Sequence, residues 1–119
     1  MQYALLCYAD EKGWGALTEA QQAEIMDDYG AWTQAIVRSG HYRAGTKLCS
    51  TSAATTLREK DGRRITTDGP FAETREQLGG LHLVECRDLD EALAIAGRIP
   101  TLRVGCTVEV RPVEPLPHT

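Results

Sequence analysis

The chain has little of what nucleic-acid binding, zinc binding or membrane insertion requires. Its 119 residues include 13 basic and 17 acidic side chains, and the resulting net charge of −4 argues against binding to phosphate backbones. The four cysteines contain no C-x-x-C pair, and no histidine lies near them at the spacing of zinc ligands. No apolar run approaches membrane-spanning length, and the N-terminus lacks the basic flank and cleavage site of a signal peptide. We therefore expect a cytoplasmic protein that uses no metal or other cofactor and binds neither nucleic acid nor membrane.

The remaining composition is typical of one globular domain, with 42% hydrophobic and 25% charged residues. Cys7, Cys86 and Cys106 each fall inside an apolar run, where an unpaired cysteine behaves as a small hydrophobic residue. Neither an internal repeat nor a linker divides the chain. We predict a single domain over residues 1–113 and a proline-rich tail over residues 114–119.

Hydrophobic patterning defines the first strand and the first long helix. The segment Tyr3–Ala9 is apolar without alternation, which predicts a strand buried on both faces. Thr18 to Gln21 matches a capping box, and Ser39-Gly40 supplies a C-terminal stop. Four large residues, spaced by three or four positions, predict the buried face of this helix: Ile25, Tyr29, Trp32 and Ile36.

The rest of the chain predicts strands, a hairpin and a second helix. Asp61-Gly62 is the favoured pair for a type I′ turn, and it places Glu59 opposite Arg64 in a hairpin. Asp88 is a suitable N-cap for the second helix. The predicted segments are a strand at Tyr42–Leu48, hairpin strands at Ala54–Lys60 and Arg63–Thr67, a strand at Gly80–Cys86, a helix with Leu89, Leu93 and Ala96 on its inner face, and a strand at Arg103–Arg111.

This order of elements, β-α-β, a hairpin and β-α-β, predicts an α+β ferredoxin-like sandwich with an extended β-hairpin. Both helices cover the same face of the sheet, yet the first strand is apolar on both faces. A bare apolar face is unfavourable in water, so we expect the sheets of two copies to pack face to face in a homodimer. The expected assembly is a dimeric α/β barrel.

The segment from Thr67 to Gly80 gathers three carboxylates, one aromatic residue and a rigid bend. Gly69-Pro70 forms the bend, with Asp68 before it and Phe71, Glu73 and Glu76 after it. In the structural interpretation, Asp68 caps turn N–H groups and Phe71 fills the edge of the core. In the functional interpretation, the bend holds Asp68 and Glu73 over a pocket, where a carboxylate in an apolar setting acts as general acid or base.

The same segment resembles the signature of the DGPF branch of the YCII-related family. The resemblance rests on Asp68-Gly69-Pro70-Phe71-Ala72-Glu73-Thr74 and on Glu76-Gln77-Leu78-Gly79-Gly80. Weaker matches extend it along the chain, at Met1–Leu6, Ala54–Thr56, Asp88–Ala92 and Val108–Val113. It implies bacterial origin, a ferredoxin-like fold that assembles as a dimeric α/β barrel and, in most members, no established activity.

The wider family carries a proposed catalytic pair, and a few relatives are dehydrochlorinases of chlorinated hydroxyquinones. The pair is a His on the first helix and an Asp before the proline that follows the second. These positions fall on Tyr29 and Ile99 here, so a His–Asp mechanism does not carry over to them, and Tyr29 would line the pocket. His41 follows a helix stop and His118 lies in the tail. His82 is on a strand beside the carboxylate segment, where relatives generally have an aromatic, and a lone strand histidine is more often a core group than a catalyst.

Three functions from different classes are compatible with these residues. The first is an acid/base enzyme acting on an unidentified small molecule, with Asp68, Glu73 and His82 as catalytic candidates. Its pocket would include Tyr29, Gly69, Pro70, Phe71 and Glu76. The second is a non-catalytic ligand-binding or signalling accessory of an extracytoplasmic-function sigma factor, beside which relatives are often encoded. The third, a heme or oxygen enzyme of the dimeric-barrel type, would need a suitably placed His, and only His82 offers one.

Overall fold

The structure, a computed structural model, describes residues 1–117, so His118 and the end of the predicted tail lie outside the described residues. Six strands and three α-helices follow one another along the chain. In order they are β1 (Gln2–Ala9), α1 (Glu11–Gly15), α2 (Glu19–Arg38), β2 (Tyr42–Lys47), β3 (Thr55–Lys60), β4 (Arg63–Asp68), β5 (Gln77–Glu85), α3 (Leu89–Ala96) and β6 (Thr107–Pro112). Short 3₁₀ helices at Thr51–Ala53 and Pro100–Val104 complete the described elements.

Four strands form one antiparallel sheet in the order β2-β5-β1-β6, and β3 pairs only with β4. This strand order, with α2 and α3 as the two crossover connections, agrees with the predicted ferredoxin-like α+β fold. Leu5 is opposite His82 on β5 and Val110 on β6, so β1 and β5 form the centre of the sheet. The sheet centre therefore carries both the core and the histidine of interest.

The capping pattern of α2 is confirmed. The Thr18 hydroxyl accepts from the Gln21 backbone N–H at 3.1 Å, and the Gln21 side chain accepts from the Thr18 N–H at 2.9 Å. Ile25, Trp32 and Ile36 are buried and Tyr29 is half-buried. The predicted stripe is therefore the face by which α2 covers the sheet.

The predicted inner face of α3 is partly wrong. Leu89 and Leu93 are 47% and 49% exposed, whereas Ala92 and Ala96 are buried. Small side chains allow the helix to approach the sheet closely, and the two leucines then turn outward. Hydrophobicity alone favours the larger residues. The predicted inner face of α3 is therefore rotated by about one residue from the buried face.

Other elements also differ from prediction. Strand β5 begins at Gln77 rather than Gly80, and Asp10 caps an additional five-residue helix, α1, through a bond from the Lys12 N–H to its carboxylate. The last strand begins at Thr107 rather than Arg103, because a 3₁₀ helix occupies Pro100–Val104 and ends at Gly105 with φ of 93°. A left-handed glycine of this kind stops the helix and restarts the chain as a strand.

The hairpin has the predicted register and turn. Asp61 and Gly62 have φ values of 52° and 74°, as a type I′ turn requires, and Glu59 is opposite Arg64. Its apolar side chains stay exposed, with Leu57 62% and Ile65 42% accessible. The hairpin therefore projects from the four-stranded sheet as an arm.

The side of the sheet away from the helices is apolar along its centre. Tyr3, Leu5 and Cys7 alternate into the helix side, as their burial shows. The intervening residues of β1 and the matching residues of β5 form the second face, and they are Ala4, Leu6, Tyr8, Leu81 and Leu83. We call these five residues the open face; all are half-buried, which agrees with the expectation that β1 is apolar on both sides.

Candidate functional site

A buried group of polar and aromatic side chains lies between α2 and the sheet. Tyr29 and Trp32 come from α2, and His82 comes from the centre of β5. The Trp32 ring meets the His82 ring edge to face at 5.0 Å and the Tyr29 ring at 5.5 Å between centroids. His82 is only 7% exposed and is the one buried polar residue in the part of the chain that the structure describes. We call Tyr29 and His82 the tyrosine–histidine pair.

The pair is joined directly, because the Tyr29 hydroxyl lies 2.5 Å from His82 Nε2. Burial lowers the pKa of His82, so the neutral imidazole is favoured. Burial and the neighbouring Cys7 raise the pKa of Tyr29, so the phenol keeps its proton. Two neutral groups therefore share one proton along this bond, the starting condition for a group that gives or takes a proton during a reaction.

The second ring nitrogen of His82 has no partner. His82 Nδ1 is buried, and no hydrogen bond reaches it from residues 1–117. Whichever tautomer the ring adopts, Nδ1 is left as an unused donor or acceptor. A Cβ built on Gly45 would lie 2.7 Å from Nδ1 and 2.8 Å from the Tyr42 hydroxyl, so a glycine at this position lets both side chains pack closely against β2.

Two thiols extend the group toward β6. Cys7 lies on the helix side of β1, and its thiol interacts with the Tyr29 hydroxyl and with Cys106. Hydrogen bonding to Cys106 and burial raise the pKa of Cys7, while the same bond, donated by Cys7, lowers the pKa of Cys106. Negative charge is therefore better stabilised on the half-exposed Cys106 than on the buried Cys7. All four cysteines are free, and the predicted placement of Cys7 and Cys86 in the core is confirmed.

The carboxylate segment is held by its backbone. The Gly69 N–H donates to the Ala54 carbonyl at 2.7 Å, and the Thr56 hydroxyl donates to the Gly69 carbonyl at 2.7 Å. Gly69 adopts φ of 96°, which explains a glycine at this bend. The segment is thereby clamped against β3, next to half-buried Pro70.

The carboxylates themselves are exposed. Asp68 and Glu73 are both accessible to solvent, and Phe71 is 76% exposed rather than filling the edge of the core. Glu76 is exposed as well, but it accepts a hydrogen bond from the Thr107 hydroxyl at 2.8 Å and acts electrostatically on Cys106. Of the segment, Glu76 is thus the carboxylate that the structure ties to the buried group, and the catalytic role of Asp68 and Glu73 remains a prediction.

Sequence reasoning named Tyr29 and His82 without placing them together, and it missed two contributors. Cys7 and Cys106 were interpreted as separate core residues, and they meet because Cys7 is on β1 and Cys106 directly precedes β6, the strand beside it. Gly45 carries no sequence signal of its own beyond a glycine within a strand, which indicates a close approach. Within residues 1–117, no three histidine, cysteine or acidic side chains cluster in the manner of metal ligands, and no helix there is long and apolar enough to cross a membrane.

An antiparallel four-stranded sheet, two crossover helices and a projecting hairpin define an α+β domain of ferredoxin-like type with a buried tyrosine–histidine pair. Similarity to known sequences narrows this class to one family. The model of the YCII-related domain matches residues 1–117. An uncharacterised protein of Rhizobium meliloti (strain 1021) is 40% identical over 114 residues, which cover 95% of this chain and 92% of that protein. The chain therefore belongs to the YCII-related family.

The depressed pKa of His82 predicts an acid-sensitive stability. Above pH 6.5 the residue is neutral in both the folded and unfolded states, so it adds no pH dependence. As the pH falls below 6.5, the unfolded chain takes up the proton first, and the free energy of unfolding decreases toward the lower folded pKa. Urea unfolding of wild type and His82→Phe between pH 7.5 and 5 should show a smaller acid loss in the variant. Equal slopes in the two proteins would contradict the assignment.

Proposed function

We propose that the chain is a small-molecule enzyme of acid–base type in which the tyrosine–histidine pair moves the proton. The observation that carries the proposal is the 2.5 Å contact between the Tyr29 hydroxyl and His82 Nε2, with Nδ1 buried and unpartnered among residues 1–117. Burial holds the imidazole neutral, which suits a general base, and Nδ1 is the ring nitrogen that remains available to a substrate. Nδ1 accepts a proton in the tautomer whose Nε2–H donates to the Tyr29 oxygen, and that hydrogen bond would stabilise the imidazolium that forms.

The family pattern supports the tyrosine–histidine pair, because this chain has the histidine and the aromatic residue at exchanged positions. Relatives place the proposed catalytic His on the first helix and generally an aromatic residue at the position of His82. This chain has Tyr29 on the helix and the histidine on β5, and the two side chains touch. An imidazole is thus brought back to the space between α2 and the sheet from the opposite side. The family's Asp has no counterpart, because Ile99 is a fully buried apolar residue.

The proposed route to the pair passes Cys106 and Glu76. Cys106 is half-buried, interacts with Cys7, and Cys7 in turn contacts Tyr29, so a chain of polar groups connects the surface to the imidazole. Glu76 stands at its outer end. We assign Glu76 to the substrate side of this chain, because of the three exposed carboxylates it is the one that acts on Cys106. The clamp around Gly69 then keeps the segment, and with it Glu76, at the end of the sheet.

The proposed assembly is a homodimer that buries the open face. Five apolar residues along the centre of one sheet face exceed the scattered apolar exposure expected of a monomer. A second copy related by a two-fold axis would present the same face and thus match it in shape and polarity. Two such sheets packed together make the dimeric α/β barrel that the family resemblance implies.

A chlorinated hydroxyquinone is the first probe of the proposed activity. Wild type should release chloride, and Tyr29→Phe should lower the rate by about 100-fold or more, the usual loss when one partner of a proton-transfer pair is removed. Tyr8→Phe is the matched control, because Tyr8 is on the open face of β1 and lies away from the pair. Solvent deuterium incorporation into the unchlorinated hydroxyquinone would report proton transfer separately from chloride loss.

The accessory function is the alternative, and the exposed hairpin favours it. Leu57 and Phe71 are 62% and 76% exposed and line a shallow groove of about 410 Å³, a surface suited to a protein partner. If the folded wild type shows no chloride release and no deuterium incorporation, the enzymatic proposal is wrong. A stable complex with an extracytoplasmic-function sigma factor under the same conditions would then support the accessory function.

A further inference from the structure

A second polar cluster lies in a groove on the side of α2 that faces α3. The groove has a volume of about 430 Å³, and apolar side chains form most of its wall, among them Trp32, Ile36 and Ile95. Polar side chains complete the wall, and Ser39, His41 and Glu91 are among them. Ser39 is the C-cap of α2, His41 precedes β2, and Glu91 is in the first turn of α3.

These three side chains form a continuous line of hydrogen bonds. Ser39 Oγ is 2.7 Å from His41 Nδ1, and His41 Nε2 is 3.0 Å from Glu91 Oε1. Glu91 is fixed by further bonds, since it accepts from the Arg87 backbone N–H at 3.2 Å and from the Arg87 guanidinium at 2.5 Å. The Glu91 side chain is 16% exposed and that of His41 27%, so the line is shielded but reachable from the groove.

The order of donors follows from the carboxylate. Ionised Glu91 can only accept, so His41 Nε2 carries the hydrogen that is donated to it. In the neutral ring, Nδ1 is then the acceptor and faces the Ser39 hydroxyl. A hydroxyl, an imidazole and a carboxylate in this sequence have the roles of nucleophile, base and orienting group, whatever their order in the chain. The Ser39 hydroxyl also lies 3.1 Å from the Ile36 carbonyl, which is a second acceptor for its proton when no substrate is bound.

We propose that Ser39, His41 and Glu91 form a hydrolytic site for small carboxylic esters whose apolar acyl group binds in the groove. Ser39 Oγ would bond to the ester carbonyl carbon as its proton passes to His41 Nδ1, and the same proton would leave with the alcohol when the carbon–oxygen bond breaks. Water, deprotonated by His41, would then release the carboxylic acid and restore the serine. Arg98 also lines this groove and is the cationic residue we assign to stabilise the oxyanion.

If Ser39 and Glu91 have only a structural role, the same contacts predict an unreactive serine. Ser39 and Glu91 both occupy helix-capping positions, and in that role their bonds only stabilise the helix ends. A capping serine has no enhanced reactivity. Ser50 provides the comparison within this chain, because it also caps a helix, and its hydroxyl donates to the Glu11 carboxylate at 3.0 Å with no hydrogen bond to a histidine among residues 1–117.

The test is covalent labelling of the full chain with a fluorophosphonate, mapped by mass spectrometry, alongside p-nitrophenyl butyrate hydrolysis. Wild type should be labelled at Ser39 and not at Ser50, and Ser39→Ala should abolish both labelling and hydrolysis. Glu91→Gln keeps a hydrogen-bond acceptor and should slow both by about 100-fold. Ser50→Ala should behave as wild type.

Circular dichroism checks that each variant is folded. If Ser39→Ala does not fold, Glu91→Gln still tests the site. Absence of label at Ser39 in folded wild type would overturn the proposal. Labelling or hydrolysis at an unchanged rate in folded His41→Gln would overturn it equally, because the serine would then react without its base. The site shares no catalytic residue with the tyrosine–histidine pair, so the two proposals stand or fall separately.

Discussion

Leu81→Glu is expected to convert the proposed homodimer into a monomer. Leu81 is on the open face of β5, where it lies opposite Leu6 on one side and Thr46 on the other. In a two-fold dimer each substitution occurs twice in the interface, so two carboxylates would be buried against apolar sheet. An uncompensated buried charge costs about 3–5 kcal/mol, and two of them would raise the dissociation constant by at least about 10⁴-fold.

Light scattering coupled to size exclusion, with sedimentation at several concentrations, measures this change. Leu93→Glu is the matched control, because Leu93 is 49% exposed on α3 and away from the open face, and it should remain dimeric. A wild type that stays monomeric at high micromolar concentration would contradict the proposed assembly. So would a Leu81→Glu protein that still dimerises as tightly as wild type.

Local patterns in the sequence were sufficient for most of the secondary structure. The capping box at Thr18, the turn at Asp61-Gly62 and the two-faced β1 all correspond to short-range physical preferences, and the structure agrees with each of them. Such features depend on neighbours within a few residues. They can be read without knowing which strands meet, and the order of elements then suffices for a ferredoxin-like topology.

The inward face of α3 could not be read in the same way. The helix offers both Leu89–Leu93 and Ala92–Ala96 as apolar stripes, about one residue apart in phase. Hydrophobicity favours the leucines, but the close approach of α3 to the sheet favours the alanines, which are buried. The choice depends on the distance between layers, which is a property of the packed structure.

Both candidate sites depend on long-range contacts. Tyr29 and His82 are 53 residues apart, and His41 and Glu91 are 50 residues apart. Each residue type was visible in the sequence, and His82 and Tyr29 were named as candidates, but their contact comes from α2 lying across β5. His41 was set aside because it follows a helix stop, and nothing near it indicated that the first turn of α3 would bring a carboxylate to it.

Trp32→Ala is expected to have the largest effect on stability of any single substitution considered in this protein. The indole is 7% exposed, packs edge to face against His82 and Tyr29, and donates its N–H to the Ile95 carbonyl at 3.0 Å. Truncation leaves a cavity beneath α2 and removes that bond, with an expected loss of about 3–5 kcal/mol. This is a large share of the total stability of about 5–15 kcal/mol that is typical of a single domain. Urea unfolding at pH 7.5 measures it.

Two further variants separate the cavity from the hydrogen bond and connect stability to the site. Trp32→Phe keeps an aromatic ring but not the N–H, so it should lose about 1–2 kcal/mol, whereas Trp14→Ala, at a half-buried tryptophan in α1, should lose less than Trp32→Ala. Because burial is what lowers the pKa of His82, water admitted by Trp32→Ala should raise that pKa toward its ordinary value of 6.5, observable by NMR of the imidazole. An unchanged His82 titration in a folded Trp32→Ala protein would show that Trp32 does not shield the imidazole. Trp32 therefore links the stability of the fold to the protonation of the proposed base, and one substitution tests both.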